Sequence, residues 1–389
     1  MTVTTPAGFR AAGVAAGLKT SGASDVALVV NDGPDAGVAA VFTSNRVKAA
    51  PVIWTQQVVH GGRVRVVVLN SGGANACTGP AGFQDTHATA EHTAAELSAV
   101  TGREYGAGEV AVCSTGLIGE RLPMDKLLPG VGAAVRALTG DGGDAAAEAI
   151  MTTDSRPKTA VTRGDGWTVG GMAKGAGMLA PGMATMLCVL TTDAVATPET
   201  LGVALRAATR VTFDRVDSDG CMSTNDTVLL LASGASGVTP SEAELTGAVT
   251  AACHDLAQQL LADAEGATKE IAIEVVGAAG EDEAVEVGRS VARNNLVKTA
   301  LFGNDPNWGR ILAAVGTTTA AFEPDEIDVA VNGVWICRSG AAAEDRSRVD
   351  LTGRDVTIRI DLHAGAAEAT VWTNDLSHGY VHENSAYST

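Results

Sequence analysis

The sequence predicts an α+β protein built in mixed layers. Three observations lead there. Segments of strand composition and segments of helical composition alternate irregularly, with consecutive strands at several points, which argues against a regular doubly wound sheet. Glycine is abundant at 46 residues and aromatics make up only 4%, so the core is packed from small aliphatics between many tight turns. With 389 residues, 46% hydrophobic and 19% charged, the chain is globular and long enough for one large or two ordinary domains.

The elements follow in order. Residues 25–31, 37–42 and 63–70 are Val- and Ala-rich runs bounded by Gly, Asn and Asp, and read as strands. Residues 70–77 are a polar, Gly-rich turn, and 80–97 have helical composition. A short strand at 109–113 runs into Ser114-Thr115-Gly116. A Thr-Gly pair at a strand tip presents a hydroxyl and a backbone N–H that are suited to a developing oxyanion, although an ordinary turn has the same spacing. Residues 125–138 and 145–151 read as helices, and 161–172 as one strand. Thr197-Pro198-Glu199 opens a helix with a cap residue, a proline and an acid. Thr239-Pro240-Ser241-Glu242 opens another with a capping box, placing Leu245, Val249, Cys253, Leu256 and Leu260 on one stripe. That helix stops at Gly266. Glu265 is unfavourable beside a helix C-terminus, a weak hint of function. Strands are expected at 227–232, 269–276, 327–331, 334–337, 356–362 and 368–373, and a helix at 282–300. Residues 303–310 turn into another helix. The tail, 378–389, is polar.

Several function classes drop out. A formal charge of −18 argues against nucleic acid, since phosphate binding needs clustered Lys and Arg. No run approaches 18 apolar residues, so no membrane span is expected. Residues 1–17 lack a basic region followed by an apolar block, so no signal peptide is expected. No two of the six cysteines form a C-x-x-C pair. All except Cys77 sit in apolar or strand-like surroundings, pointing to buried thiols and a reducing cytoplasm. The acidic stretch 214–226 is a poor calcium loop: with Gly220 as the invariant glycine, Arg215 falls at the first ligand position. No metal is expected.

The chain is organised around residues 170–193. Its first half is Gly-rich with one charge, Lys174. Ala180-Pro181-Gly182 breaks the backbone pattern, and an apolar, Val-, Leu- and Thr-rich run follows, read as a buried strand beginning at Thr185. Gly175-x-Gly177-x-x-Ala180 matches part of a dinucleotide fingerprint, but Pro181 follows where a helix must run. A phosphate loop fails because Lys174 precedes the glycines. Thr185 reads first as a plain strand threonine, and alternatively as a nucleophile: a cut between Ala184 and Thr185 would leave it both a hydroxyl and a free α-amine, a self-contained nucleophile and base.

The segment K-G-A-G-M-L-A-P-G-M-A-T-M-L at 174–187 strongly resembles the ornithine acetyltransferases, the bifunctional glutamate N-acetyltransferases of arginine biosynthesis. The same family is matched by N-S-G-G-A-N-A-C-T-G at 70–79, C-S-T-G-L-I-G at 113–119, M-T-T-D at 151–154 and S-T-N-D at 223–226. D-A-E-G at 263–266, residues 302–310 and E-N-S-A-Y at 383–387 match as well. The resemblance covers essentially the whole chain.

This resemblance implies self-cleavage between Ala184 and Thr185 into an α chain, 1–184, and a β chain, 185–389, which together build one catalytic core. It implies Thr185 as the acyl-accepting nucleophile and Thr115 and Gly116 as the oxyanion hole. The implied substrate contacts are Thr152 (with Thr153 as its alternative), Lys174, Thr185, Glu265, Asn384 and Thr389. The implied reaction moves acetyl from N2-acetylornithine to glutamate by a ping-pong route, with no cofactor. The family contains members with and without acetyl-CoA as donor, and no residue here decides between them. The implied fold is a helix/sheet/sheet/helix sandwich like that of N-terminal-nucleophile enzymes, with its own connectivity, assembled as a heterotetramer of two α and two β chains. An autocleaving amidase or aminopeptidase is the alternative reading.

Overall fold

The computed structural model describes residues 1–179 and 186–386; Ala180 to Thr185 and Tyr387 to Thr389 lie outside the described residues. The first half contains β1 (Phe9–Val14), β2 (Val26–Asn31), β3 (Gly37–Phe42), α1 (Ala50–His60), β4 (Val66–Asn70), α2 (Gly79–Thr101), β5 (Val110–Ser114), α3 (Met124–Arg136), α4 (Gly143–Ala149), β6 (Lys158–Arg163) and β7 (Thr168–Lys174). Then come β8 (Leu187–Thr192), α5 (Pro198–Val211), β9 (Thr227–Ala232), α6 (Glu242–Ala262) and β10 (Glu270–Ala278). The last part holds α7 (Glu281–Ala292), α8 (Asn295–Phe302), α9 (Trp308–Val315), β11 (Asp328–Val331), β12 (Val334–Arg338), β13 (Ala341–Ala342), β14 (Asp355–Asp361), β15 (Ala367–Asn374) and α10 (His378–Ala386).

Among the described residues the strands make three sheets. Two of them form a mixed α/β sandwich: a four-stranded sheet, β1-β2-β4-β5, faces a five-stranded sheet, β3-β9-β8-β7-β6. The period-2 alternation of strand side chains builds three apolar layers from these two sheets. Inner-facing Val29, Leu69 and Cys113 pack with Val189, Leu229 and Leu231 between the sheets. Outer-facing Leu28, Val68 and Val112 meet Leu97, Leu127 and Val131 of α2 and α3. On the opposite outer face Cys188, Leu190 and Leu230 meet Leu201, Leu205, Leu245, Val249 and Leu256 of α5 and α6. The stripe expected on α6 is therefore buried. Each fully buried Leu contributes roughly 1.5–3 kcal/mol, so these layers supply most of the driving force for the fold.

The two-sheet expectation is incomplete. A third, six-stranded sheet, β13-β12-β11-β14-β10-β15, carries α7, α8 and α9 on one face. It leans on the sandwich through Trp372, which packs against the outer cluster beside α6 with His254 edge-on to its ring.

Other expectations are also corrected. Residues 161–172 hold parts of two antiparallel strands, β6 and β7, because Gly164 and Gly166 turn the chain between them. The helix expected at 282–300 is two, since Asn294 accepts from the N–H groups of Leu296 and Val297 and starts α8 afresh. The capping box of α6 is Ser241 with Glu244, two residues later than Thr239 with Glu242. Cys221 is exposed like Cys77, because it sits in the loop before β9; the other four cysteines are buried. Strand β1 and helix α1 were not anticipated, and the polar tail forms α10. Among the described residues no helix is long and apolar enough to cross a membrane.

Candidate active site

The loops at one end of the sandwich converge on a single cavity. It is lined by Thr115, Gly116, Thr152, Thr153, Lys174, Glu265 and Asn384, together with Ala74, Ile118, Gly177, Met178 and residues Ser223 to Asn225. Six of the residues singled out in the sequence thus meet in one place, and Thr152 and its neighbour Thr153 both line it. Ala184, Thr185 and Thr389 lie outside the described residues.

Thr115 follows the last residue of β5. Its N–H donates to the Asn70 carbonyl (2.9 Å) and its carbonyl accepts from Gly73 N–H (3.0 Å), so the tip is held by the 70–77 turn. Gly116 adopts φ +128°, and a Cβ there would stand 2.8 Å from Gly73 N. Only glycine fits that close approach. Asn225 knits the same loops together: its side-chain amide donates to the carbonyls of Ala74 (2.6 Å) and Ser114 (2.8 Å). The sequence marked S-T-N-D as a motif without giving this role to Asn225.

Lys174 ends β7, fully buried, and its Nζ donates to Thr115 Oγ1 at 3.3 Å. Burial lowers its pKa, the nearby charge of Lys158 adds to the effect, and Asp154, Asp226 and Glu265 oppose it. Lys174 pairs across the ladder with Leu187 of β8, so the strands flanking residues 180–185 lie side by side. Met186 N–H donates to Asp226 Oδ1 (2.9 Å). Burial pushes the Asp226 carboxyl well above the usual carboxylate range, against the Met186 and Ser223 hydrogen bonds and the Lys174 charge.

Glu265 lies in the turn after α6, and its N–H donates to the Ala176 carbonyl (3.0 Å). Asn384 of α10 donates from Nδ2 to Glu265 Oε2 (2.9 Å). The tail reaches this point because Gly266, at φ +61°, lets the backbone of Tyr380 pass where a Cβ would stand 2.1 Å from its nitrogen. Ser377 Oγ donates to the Gly266 carbonyl (2.5 Å) and pins the start of that helix.

A model of the ArgJ family matches residues 10–389. The chain belongs to the ArgJ family. Among its relatives, the arginine biosynthesis bifunctional protein ArgJ of Thermobifida fusca is 67% identical over 389 residues, covering all of both chains. The protein of the same name from Mycobacterium tuberculosis is 63% identical over 390 residues, covering all of this chain and 96% of that one. A crystal structure of ornithine acetyltransferase from Mycobacterium tuberculosis, complexed with ornithine, aligns with a TM-score of 0.46 at 67% identity, over 48% of this chain and 96% of that chain.

The family's motifs thus close around one cavity that offers a hydroxyl and a glycine at positive φ at a strand tip, a buried ammonium, and a carboxylate bridged to an amide. Among the described residues no group of three His, Cys, Asp or Glu is arranged to hold a metal ion.

Proposed function

We propose that acetyl leaves the α-nitrogen of N2-acetylornithine, rests as an ester on Thr185, and passes to the α-amine of glutamate. The chain is an acyltransferase of arginine biosynthesis, and it acts on small molecules of this kind. The observation that carries the route is the convergence of Thr115, Gly116, Thr152, Lys174, Glu265 and Asn384 on one cavity at the end of β7.

Each residue has a chemical task in this reading. The chain cuts itself between Ala184 and Thr185, giving an α chain (1–184) and a β chain (185–389). The freed α-amine of Thr185, whose class titrates near 7.7–8.0 in model peptides, takes the proton of its own hydroxyl. Both half-reactions pass through tetrahedral oxyanions, which Thr115 and Gly116 stabilise. Lys174 meets a substrate carboxylate, Glu265 and Asn384 bind the α-amino-acid end, and Thr152 and Thr389 complete the contacts. Acetyl-CoA serves as a second donor if the chain also synthesises N-acetylglutamate directly. The proposed assembly is two α with two β chains, in the cytoplasm, and no cofactor is needed.

The test is turnover of acetylornithine with and without glutamate, alongside Thr185→Ala. The parent forms N-acetylglutamate with parallel double-reciprocal lines and an acetylated 185–389 fragment visible by mass spectrometry. Thr185→Ala stays a single, inactive chain. Acetate release without an acceptor would point instead to the amidase reading. Intersecting lines with no acetylated fragment would remove the acyl-threonine.

A further inference from the structure

Three charged side chains outside the cavity form a buried triad. Lys158, the first residue of β6, is fully enclosed, and its Nζ lies 2.6 Å from Asp154 Oδ1 and 2.6 Å from Asp263 Oδ2. The Asp154 side chain is 0% exposed and that of Asp263 is 7% exposed. None of the three lines the cavity.

Each carboxylate spends its remaining acceptor capacity on a loop that carries a cavity residue. Asp154 takes Gly175 N–H on Oδ1 (2.6 Å) and Thr152 N–H on Oδ2 (2.9 Å). It therefore ties the loop of Thr152 and Thr153 to the residue that follows Lys174. Asp263 takes Ser155 N–H on Oδ2 (3.0 Å), and Ser155 Oγ donates to its Oδ1. Asp263 begins the turn that bears Glu265. The ammonium of Lys158 joins the two carboxylates, so three loops from α4, β7 and α6 meet at one ionic node.

Taking three charges out of water is costly, and a packed apolar cluster of equal volume commonly stabilises a fold as well or better. A node of this kind gives stability little that hydrophobic side chains would not. What it gives is direction, since ion pairs with hydrogen bonds fix angles as well as distances. The same two aspartates close M-T-T-D and open D-A-E-G, motifs whose other residues line the cavity.

We propose that Asp154, Lys158 and Asp263 are positioning residues for the acetyl transfer, holding Thr152, Lys174 and Glu265 at fixed separations around the substrate. The proposal rests on the acetyl-transfer reading of the cavity. Because the positioned groups bind substrate in ground and transition states alike, loosening them raises KM more than it lowers kcat.

The experiment compares Lys158→Met, Lys158→Arg and the charge-free D154N/K158M/D263N with the parent. All are assayed for acetyl transfer and normalised to correctly folded chain by circular dichroism. In Lys158→Met, KM for acetylornithine and for glutamate rises at least about tenfold while kcat changes less than about threefold, and Lys158→Arg recovers most of the loss. If Lys158→Met does not fold, the charge-free triple, which leaves no carboxylate of the node facing a missing ammonium, is held to the same KM criterion. Unchanged KM values in the folded variants, a fall in kcat alone, or an arginine variant as impaired as the methionine one would each overturn the triad's role. A parent that transfers no acetyl refutes the functional reading and the triad's role with it; an active parent with unaffected variants refutes the triad alone.

Discussion

Lys174 shows how much a single buried charge settles. Burial first, then the Lys158 charge, lower its pKa, against the pull of Asp154, Asp226 and Glu265. It therefore surrenders its proton at a lower pH than an ordinary lysine, and kcat/KM falls as pH rises through that point. Lys174→Arg keeps its charge throughout this range, so the alkaline limb disappears from the pH profile; a limb that stays in place belongs to another group. Lys174→Met removes a hydrogen bond to a charged group and lowers kcat/KM by about 10- to 100-fold, measured at saturating co-substrate. At this scale the sequence was partly legible. Thr115-Gly116 is recognisable because a hydroxyl and an N–H follow an apolar strand. Asp154 and Lys158 are not, because a lysine four residues from an aspartate is ordinarily a solvated pair. Only the tertiary fold reveals that Lys158 occupies an inward-facing position of β6.

Elements were legible where a local signal coincided with a buried face. Strand β9 and helix α6 combine an apolar pattern with sharp ends, and both were read to within a few residues. The α6 start tests the corrected cap. Ser241 accepts from Glu244 N–H while Glu244 reaches back to Ser241. Ser241→Ala therefore costs about 1 kcal/mol in urea denaturation, whereas Thr239→Ala is near neutral. Helix α10 was illegible for a physical reason. Nine residues are too few to form a stable helix alone, and this one is held by contacts with Gly266 and Glu265 from a distant turn. Removing residues 378–389 should leave cleavage at Thr185 intact, since the contacts that hold Lys174 and Met186 on either side of that bond come from β8 and Asp226 and not from the tail. It should lower kcat/KM for acetyl transfer at least about tenfold through the lost Asn384 and its neighbours. Fragment masses and steady-state rates on the truncated enzyme check both halves. Equal rates would remove the tail from the site.

Sheet membership is the part no local pattern carries. Strand composition at 327–373 is plain, yet nothing in those residues says that they form a separate sheet, because pairing is decided by partners far away in sequence. The five-stranded sheet makes the point. Its order alternates between halves of the chain: β3, β7 and β6 precede the proposed cut, while β9 and β8 follow it. Ladders β3–β9 and β7–β8 both cross that boundary. The two fragments, 184 and 389 − 184 = 205 residues, should therefore appear separately on a denaturing gel yet elute together from a sizing column, parting only in denaturant. Fragments that separate under native conditions would contradict this interleaving.

The same interleaving sets a clock on maturation. Met186 is gripped by Asp226, which lies just ahead of β9, and β9 fills the gap between β3 and β8. While the ribosome is still making residue 220, neither the grip nor the central strand exists. The cut proposed before Thr185 should therefore wait until the nascent chain has passed residue 232 and folded. Ribosome-stalled chains ending near residue 220 should remain whole, and full-length released chains should not.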